Sequence, residues 1–183
     1  LGMGSDLRIG SRFLRAGPAY GGSCFPKDTK GLVSIGNKEK IDLSLVKSVI
    51  KSNENRKKLL IDRVHNIMGK NIKNKKIAFL GVTFKANTDD MRDSASLKML
   101  PYLQKKGAKI MYYDPTGEKK QFSHLKKCKF SSQINLACKN ADLIILHTEW
   151  DELKSLDFNN LVGNKKFKVY DLRNLYSPNE MKN

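Results

Sequence analysis

Apolar residues in the first part of the chain recur at the spacing of an amphipathic helix. Over residues 44–68 they return at steps of three and four residues with lysine and arginine between them, and Gly69 follows as a stop signal. A shorter helix is predicted over 26–36, because Pro26 suits a first helical position and Gly36 can close the end. The centre of the long helix, residues 51–58, is strongly polar. The long helix is therefore expected to bridge two bodies or to lie in a subunit interface.

After a predicted linker at 71–75, short β-branched and aromatic runs alternate with helical stretches. Pro101 is expected to kink or shorten the first of these helices. The alternation predicts an α/β fold: a helical connecting segment over 1–74, then a Rossmann-like domain with a parallel sheet over 75–183. The predicted strands are 77–82, 109–114, 143–147 and 168–172, and the predicted helices are 96–106, 133–139 and a further one near 150–162.

The charge balance changes this picture little. The chain has 35 Lys and Arg against 18 Asp and Glu, a net charge of +17, which would suit a polyanionic partner. The lysines are scattered through every segment, however, and no basic stripe alternates with aromatic residues that could stack on bases. No nucleic-acid partner is predicted. No apolar run reaches the roughly 18 to 20 residues of a membrane span, and a signal-peptide pattern is missing, so a cytoplasmic protein without membrane contact is expected.

The chain contains three cysteines, Cys24, Cys128 and Cys138. No C-x-x-C pair and no matching histidine spacing accompany them, which argues against a disulfide framework and against a structural zinc site. No metal site is predicted, and at least one thiol is expected to be free. Cys138 lies in an apolar phase of its predicted helix and is expected in the core.

The segment 13–28 concentrates glycines, a thiol, a carboxylate and cations. If a helix opens at Pro26, Cys24 faces the positive end of that helix, which favours the thiolate form of a nucleophile. Asp28 then lies on the same side one turn later, where a carboxylate can orient water or accept a proton. From the residue types alone, an inert, buried cysteine beside a tight turn is equally compatible with this segment.

Cations also follow two predicted strands. Lys85 and Arg92 lie in the loop after the first strand, and Arg173 follows the last one. Because ligands in open α/β sheets bind outside the carboxyl ends of the strands, these cations lie where a ligand site is expected. Their residue types fit solvated loop charges as well, and Tyr20 and Phe84 would fit in a core.

Three runs resemble motifs of the UDP-glucose 6-dehydrogenases. Residues 17–28, GPAYGGSCFPKD, resemble the catalytic-cysteine motif of this family, and residues 79–94, FLGVTFKANTDDMRDS, and 170–174, YDLRN, resemble two further motifs. Ala19 and Leu172 stand where the family usually has glycine. The residues around the cysteine favour UDP-glucose over GDP-mannose or N-acetylated sugars as the substrate. The resemblance concerns the C-terminal part of the family only.

The resemblance implies oxidation of UDP-glucose to UDP-glucuronate with two NAD per turnover. Cys24 would form a thiohemiacetal and then a thioester, which water positioned by Asp28 would hydrolyse. NAD contacts are implied for Lys27 and Arg92, and a homodimer through the long helix is expected. Substrate contacts are implied for Arg8, from a partner subunit, and for Phe13, Leu14, Arg15, Ala16, Gly17, Tyr20, Gly21, Phe84, Lys85 and Arg173.

The glycine pattern of a dinucleotide site is missing from the sequence. Such a site needs G-x-G-x-x-G after a first strand, so that the backbone can approach the pyrophosphate, whereas the strand 77–82 carries only Gly81. An NAD domain upstream of Leu1 is therefore expected, and the fragment alone is expected to be inactive. The alternative is a catalytically silent UDP-sugar-binding fragment that lacks the NAD domain.

Overall fold

The computed structural model describes residues 2–11, 14–69, 71–163 and 165–182. Its helices are α1 (Cys24–Lys38), α2 (Ser44–Ile67), α3 (Ser96–Lys105), α4 (Ile134–Cys138) and α5 (Phe158–Val162). Its strands are β1 (Lys76–Leu80), β2 (Lys109–Tyr113), β3 (Cys128–Phe130), β4 (Leu143–Leu146) and β5 (Lys168–Asp171). Short 3-10 turns lie at Met3–Ser5, Lys120–Phe122, Asp151–Leu153 and Glu180–Lys182.

The five strands form one sheet in the order β3-β2-β1-β4-β5, and every neighbouring pair is parallel. The chain starts in the middle of the sheet, runs outward to β3 and returns to place β4 beside β1. This order is that of a doubly wound α/β fold without its sixth strand, with the switch point between β1 and β4. The predicted α/β class with a Rossmann-like parallel sheet is confirmed.

Apolar residues cover both faces of the sheet. Along β1, Ile77 and Phe79 join a buried cluster with α2 and α3, whereas Ala78 and Leu80 join a second cluster with α4 and α5. Strands buried on both faces carry continuous apolar runs, and this makes the central strands β1 and β4 predictable. Cys138 is fully buried in the second cluster, as expected.

The sequence pattern does not predict the edge strand β3. It has three residues in a lysine-rich run, and only Cys128 among them is buried. Three residues are too few to show an alternation that differs from that of a loop. A short strand with an exposed lysine is typical of the edge of a sheet, where it discourages pairing with other chains.

Helix α2 confirms the long helix predicted over 44–68, and Gly69 follows it with a φ of 70°. The shorter helix differs from its prediction. α1 begins at Cys24, two residues before Pro26, and it continues past Gly36 to Lys38. Gly36 is needed for close packing rather than for ending the helix, because a Cβ on it would lie 3.0 Å from Cγ of Leu43.

Two further helical predictions also change. α3 reaches ten residues with Pro101 in its interior, so the proline does not shorten it. The helix predicted near 150–162 is instead a 3-10 turn at Asp151–Leu153 followed by the five-residue α5. Asp157 starts α5 by accepting a hydrogen bond from Asn160 N–H at 3.0 Å, which is the usual role of an N-cap aspartate.

Helix α2 belongs to two parts of the molecule. Its second half buries Leu60, Ile61 and Val64 in the same cluster as the sheet, while its first half lies beside α1. The core therefore crosses residue 74, at which the sequence predicts a division of the chain. Within the described ranges, even α2 lacks the apolar character that a bilayer-crossing helix requires.

Candidate functional site

The loop after β1 is fixed by buried polar groups. Val82 N–H donates to the Asp114 carboxylate at 2.8 Å, and the hydroxyls of Ser94 and Ser96 donate to Val82 C=O at 2.7 and 2.6 Å. Buried hydrogen bonds of this kind hold a backbone firmly, since breaking one leaves a polar group without water. The loop therefore presents the residues after Val82 at the carboxyl edge of the sheet.

Arg173 joins three chain segments at this edge. Its side chain is only 10% exposed, with Nε 2.8 Å from Oε2 of Glu149. Nε donates to His147 C=O at 3.0 Å and Nη2 donates to Phe84 C=O at 2.7 Å. Burial lowers the pKa of Arg173 and Glu149 opposes this effect, so the guanidinium keeps its charge. Lys85 is exposed on the same loop as Phe84, with Nζ 5.5 Å from the ring centroid.

The cysteine segment, residues 14–28, packs directly on this edge. A Cβ on Gly17 would lie 2.9 Å from Cζ of Arg173, and a Cβ on Gly22 would lie 2.8 Å from the Phe84 ring. Gly22 has a φ of 86°, and its N–H donates to Arg92 C=O at 2.7 Å. Both positions leave no room for a side chain. The structure thus brings the cysteine segment to the predicted substrate cations.

Tyr20 and Gly21 lie in the part of the cysteine segment that packs on the loop after β1. The Tyr20 ring meets the Phe25 ring edge-on, with centroids 5.1 Å apart. A Cβ on Gly21 would lie 2.9 Å from the Asp93 carbonyl oxygen and 3.0 Å from Cβ of Phe84. Gly21 is therefore also constrained by the loop after β1.

Cys24 is the first residue of α1, at the helix N-terminus where the sequence predicts it, and its side chain is exposed rather than buried. Its Sγ lies 3.6 Å from Oγ of Ser23. Asp28 is also exposed, with a carboxylate oxygen 3.5 Å from Nζ of Lys27. Four residues along a helix separate Cys24 from Asp28, so both lie on the same side of α1.

A cationic cleft of about 560 Å³ adjoins the start of α1 and is lined by Gly22, Ser23, Lys27, Lys30, Arg92 and Asp93. Arg92 is exposed, and its Nη2 lies 2.8 Å from Oδ2 of Asp90, which raises the pKa of Arg92. Each of the three cations also pairs with a carboxylate, namely Lys27 with Asp28, Lys30 with Asp93 and Arg92 with Asp90, and a lining of exposed cations suits a phosphate group. In the described part of the chain, no three or more metal-ligating side chains gather at one place.

A second cleft, of about 440 Å³, separates the cysteine segment from the ends of β4 and β5. It is lined by Arg15, Ala16, Glu149, Lys154, Arg173, Asn174 and Leu175. Glu149 and Lys154 are not among the site residues predicted from the sequence. The position of Glu149 just after β4 is the feature that could have indicated it.

Two of the predicted substrate residues, Arg8 and Leu14, do not join this arrangement. Phe13 lies outside the described residues. Arg8 is exposed and forms an ion pair with Asp6 at 2.6 Å, and the side chain of Leu14 lies near Gly4. The role expected for Arg8 in a partner subunit stays a prediction.

His147 directly follows β4 and is fully buried, with its ring centroid 5.2 Å from that of Phe79. Burial lowers the pKa of His147 to about 3, and the charge of Arg173 adds to the effect. An unfolded histidine binds a proton below about pH 6.5. Between these two values the unfolded chain therefore binds more protons than the folded chain, so stability should decrease as the pH falls.

We expect the wild type to lose about 2 kcal/mol of unfolding free energy between pH 7 and pH 5 that a His147→Gln variant does not lose. The size of this loss depends on the pKa of His147 in the unfolded chain alone, since its pKa in the folded chain lies far below pH 5. Urea unfolding at both pH values measures it. His124→Gln, at an exposed histidine, is the matched control and should follow the wild type. Equal pH dependence in the wild type and His147→Gln would contradict the prediction.

Comparison with known proteins gives family matches over most of the chain. Residues 78–178 match the UDP binding domain of the UDP-glucose/GDP-mannose dehydrogenase family, and residues 1–55 match its central domain. The chain is 41% identical over 181 residues to a UDP-glucose 6-dehydrogenase of Rhizobium meliloti and 40% identical over 185 residues to one of Rickettsia felis. These alignments cover 98% and 99% of this chain but 41% of each relative. The chain thus spans about two fifths of the length of these curated relatives.

Solved structures of known dehydrogenases match this chain as well. A UDP-glucose dehydrogenase from Pyrobaculum islandicum matches with a TM-score of 0.80 and 26% identity, covering 98% of this chain and 40% of that one. A GDP-mannose dehydrogenase from Pseudomonas aeruginosa shares the fold, with a TM-score of 0.75 and 24% identity over 93% of this chain and 40% of that one.

Proposed function

The chain belongs to the UDP-glucose/GDP-mannose dehydrogenase family, and we propose that it is the C-terminal part of an NAD-dependent UDP-glucose 6-dehydrogenase. The proposal rests chiefly on the docking of the cysteine segment. Gly17 contacts Arg173 and Gly22 contacts Phe84 without intervening side chains. The segment that carries the exposed thiol is thereby held against the edge of the sheet at which Arg173 and Lys85 could bind a nucleotide diphosphate.

UDP-glucose would bind where the cysteine segment meets the carboxyl edge of the sheet. Lys85 would reach its phosphates beside Phe84, and Arg173 would contact the nucleotide sugar through the cleft that it shares with Arg15. The sugar would then extend toward Cys24. The other substrate residues of the proposal are Arg8, Phe13, Leu14, Ala16, Gly17, Tyr20 and Gly21.

NAD would accept a hydride in each of the two oxidations. Lys27 and Arg92 would contact its pyrophosphate, and most of its binding site would lie in an N-terminal domain outside this chain. The cationic cleft beside α1 supports this assignment, because its three cations fit two phosphate charges.

Cys24 would act between the oxidations. Its thiolate adds to the C6 aldehyde carbon and the carbonyl oxygen takes up a proton, which gives a thiohemiacetal. The second oxidation removes a hydride and a proton from the thiohemiacetal and converts it to a thioester through the same sulfur. Asp28 would orient the water that adds to the thioester carbon; the C–S bond then breaks, the thiolate leaves, and the sugar is released as a carboxylate.

The proposal includes a homodimer through α1 and the first half of α2. Large apolar side chains on these helices are exposed, namely Phe25, Leu32, Ile35, Leu45 and Val49. An apolar surface of this kind is typical of a protein interface, and a second copy would cover it. Sedimentation of the chain would reveal the dimer.

Two further parts of the proposal concern location and domain division. Three free cysteines fit the proposed cytoplasmic location. The proposed division into 1–74 and 75–183 follows the sequence pattern.

A second candidate is a catalytically silent UDP-sugar-binding fragment. The missing glycine fingerprint favours it, since this chain cannot hold a dinucleotide in the usual way. A UDP-sugar that carries an aldehyde at C6 separates the two candidates, because addition of a thiolate to this aldehyde needs no NAD. If the chain is part of an active dehydrogenase, this aldehyde should react with the Cys24 thiol and protect it from iodoacetamide. A silent fragment should bind the same sugar without protecting the thiol.

Binding of UDP tests the substrate site directly. We expect Lys85→Ala to weaken UDP binding about tenfold or more, because a hydrogen bond between a cation and a phosphate contributes about 1.5 kcal/mol or more. Titration calorimetry of the 183-residue chain measures the affinity. Lys129→Ala removes the same charge from the edge strand β3 and should bind UDP like the wild type.

Arg173→Ala should weaken UDP binding as well, but Arg173 also holds Phe84 and His147 in place. Thermal unfolding of this variant therefore accompanies the titration. Equal UDP affinity in the wild type, Lys85→Ala and Arg173→Ala would refute the substrate roles of both cations.

A further inference from the structure

The polar centre of α2 faces the cysteine segment. Oδ1 of Asn53 accepts a hydrogen bond from Tyr20 N–H at 2.9 Å, and Nδ2 of Asn53 donates to Tyr20 C=O at 3.1 Å. The Asn53 side chain thus satisfies both the N–H and the C=O of Tyr20. In a β-sheet, a neighbouring strand would make these two hydrogen bonds. Both residues are partly buried, so water competes only weakly for these bonds.

Arg56 extends this contact along the segment. It lies three residues after Asn53, and its Nε donates to Pro18 C=O at 3.1 Å and its Nη2 to Gly17 C=O at 3.4 Å. Side chains three residues apart lie on one face of a helix. The same face of α2 therefore holds the backbone of residues 17–20.

Lys57 connects this face to the loop on the other side of the segment. Its side chain is 2% exposed, and its Nζ lies 2.9 Å from Oε1 of Glu54 and 3.7 Å from Oδ1 of Asp93. Asp93 directly follows Arg92, whose carbonyl accepts the Gly22 N–H. Helix α2 thus supports both sides of the path that leads to Cys24.

Two of the three residues between Tyr20 and Cys24 are glycines. Glycine has the greatest backbone freedom, so these residues cannot fix the direction of the thiol by themselves. The path must be set by the groups around it, and the hydrogen bonds among them are those of the Asn53 amide at Tyr20 and of the Arg92 carbonyl at Gly22. Of these two, only Asn53 acts through a side chain and can be removed by substitution.

We propose that Asn53 is a positioning residue, which sets the path of residues 17–22 and thereby the direction in which α1 presents Cys24. The inference rests on the proposed function, because it treats Cys24 as the nucleophile. Asn53 itself touches no reacting atom. Its removal should leave UDP binding through Lys85 and Arg173 intact while it impairs attack by the thiol.

Amide hydrogen exchange of the 183-residue chain tests the contact itself. Asn53→Leu removes both hydrogen bonds to Tyr20, so exchange over residues 17–24 should accelerate about tenfold or more. Exchange in β1 and β4 should not change. Asn55→Leu is the matched control, since Asn55 is exposed two residues away on the same helix. Unchanged exchange over 17–24 in Asn53→Leu would overturn the proposal.

Reaction of Cys24 tests whether the contact positions the thiol. The UDP-sugar with an aldehyde at C6 should protect Cys24 from iodoacetamide in the wild type and in Asn55→Leu. Protection should be about tenfold weaker in Asn53→Leu at unchanged UDP affinity, because the thiol is misdirected while the nucleotide still binds. A purely structural role would lower the UDP affinity as well.

The outcomes separate this inference from the proposed function. Normal protection in Asn53→Leu, with or without faster exchange, would overturn the positioning role. If the wild type itself shows no protection by the aldehyde, the nucleophile assignment of Cys24 fails instead. The exchange measurement still decides in that case whether Asn53 holds the segment.

Discussion

Replacement of Cys24 by serine should reduce UDP-glucuronate formation by the complete dehydrogenase by on the order of a thousandfold or more. Serine is nearly the same size, so UDP-glucose should still bind. Its hydroxyl is a far poorer nucleophile near neutral pH than a thiolate, and an ester hydrolyses more slowly than a thioester. The second oxidation should therefore suffer more than the first. Product analysis combined with intact-protein mass spectrometry measures both effects.

The chain offers matched controls for this variant. Burial raises the pKa of Cys128 and of Cys138 to about 12, so neither thiol is reactive. Cys128→Ala should therefore retain UDP-glucuronate formation. Asp28→Asn should allow the covalent adduct to form but slow its hydrolysis, since it removes the carboxylate proposed to orient water. Near-normal product formation by Cys24→Ser would refute the nucleophile assignment.

Among single substitutions, Gly81→Ala should destabilise the fold strongly. Gly81 follows β1 with a φ of 76°, and a Cβ there would lie 2.8 Å from Oγ1 and 3.0 Å from the backbone nitrogen of Thr148. The left-handed conformation and the overpacking would together lower the unfolding free energy by about 3 kcal/mol or more. Urea unfolding at neutral pH measures the loss.

Two other glycines separate these contributions. Gly117 has a φ of 86° with open space around it, so Gly117→Ala should lose only about 1 to 2 kcal/mol from the backbone conformation. Gly31 lies inside α1 with open space, and Gly31→Ala should gain up to about 1 kcal/mol of helix stability. Equal losses in Gly81→Ala and Gly117→Ala would show that the contact with Thr148 has no cost.

The sequence predicts those elements whose pattern is long or strongly apolar. Helix α2 repeats its apolar spacing over many turns, and the central strands β1 and β4 are apolar because the sheet is covered on both faces. The ends of α1 are harder, because Gly36 resembles a helix terminator but makes room for Leu43. A local sequence pattern cannot distinguish a glycine that ends a helix from a glycine that makes room for a neighbouring side chain. The second role depends on which later residue packs against the helix.

The same limit applies to the site. The cysteine segment, Lys85 and Arg173 are recognisable because their motifs are contiguous in the sequence. Asn53 and Arg56 appear only as polar residues on a helix, since the backbone groups that they bind lie 33 to 39 residues earlier. Their polarity indicates that they do not face an apolar core. Only the fold shows that they bind the backbone of residues 17–20.

Helix α2 also makes the cysteine segment and the sheet a single cooperative unit. Its second half is anchored in the core by Leu60 and Val64, and its first half holds the backbone of residues 17–20. Helix formation is itself cooperative, so fraying of one half weakens the other. We therefore expect the segment that carries Cys24 to have no separate melting transition. Heat inactivation should coincide with loss of the whole fold, so catalytic half-life can be extended by stabilising the sheet.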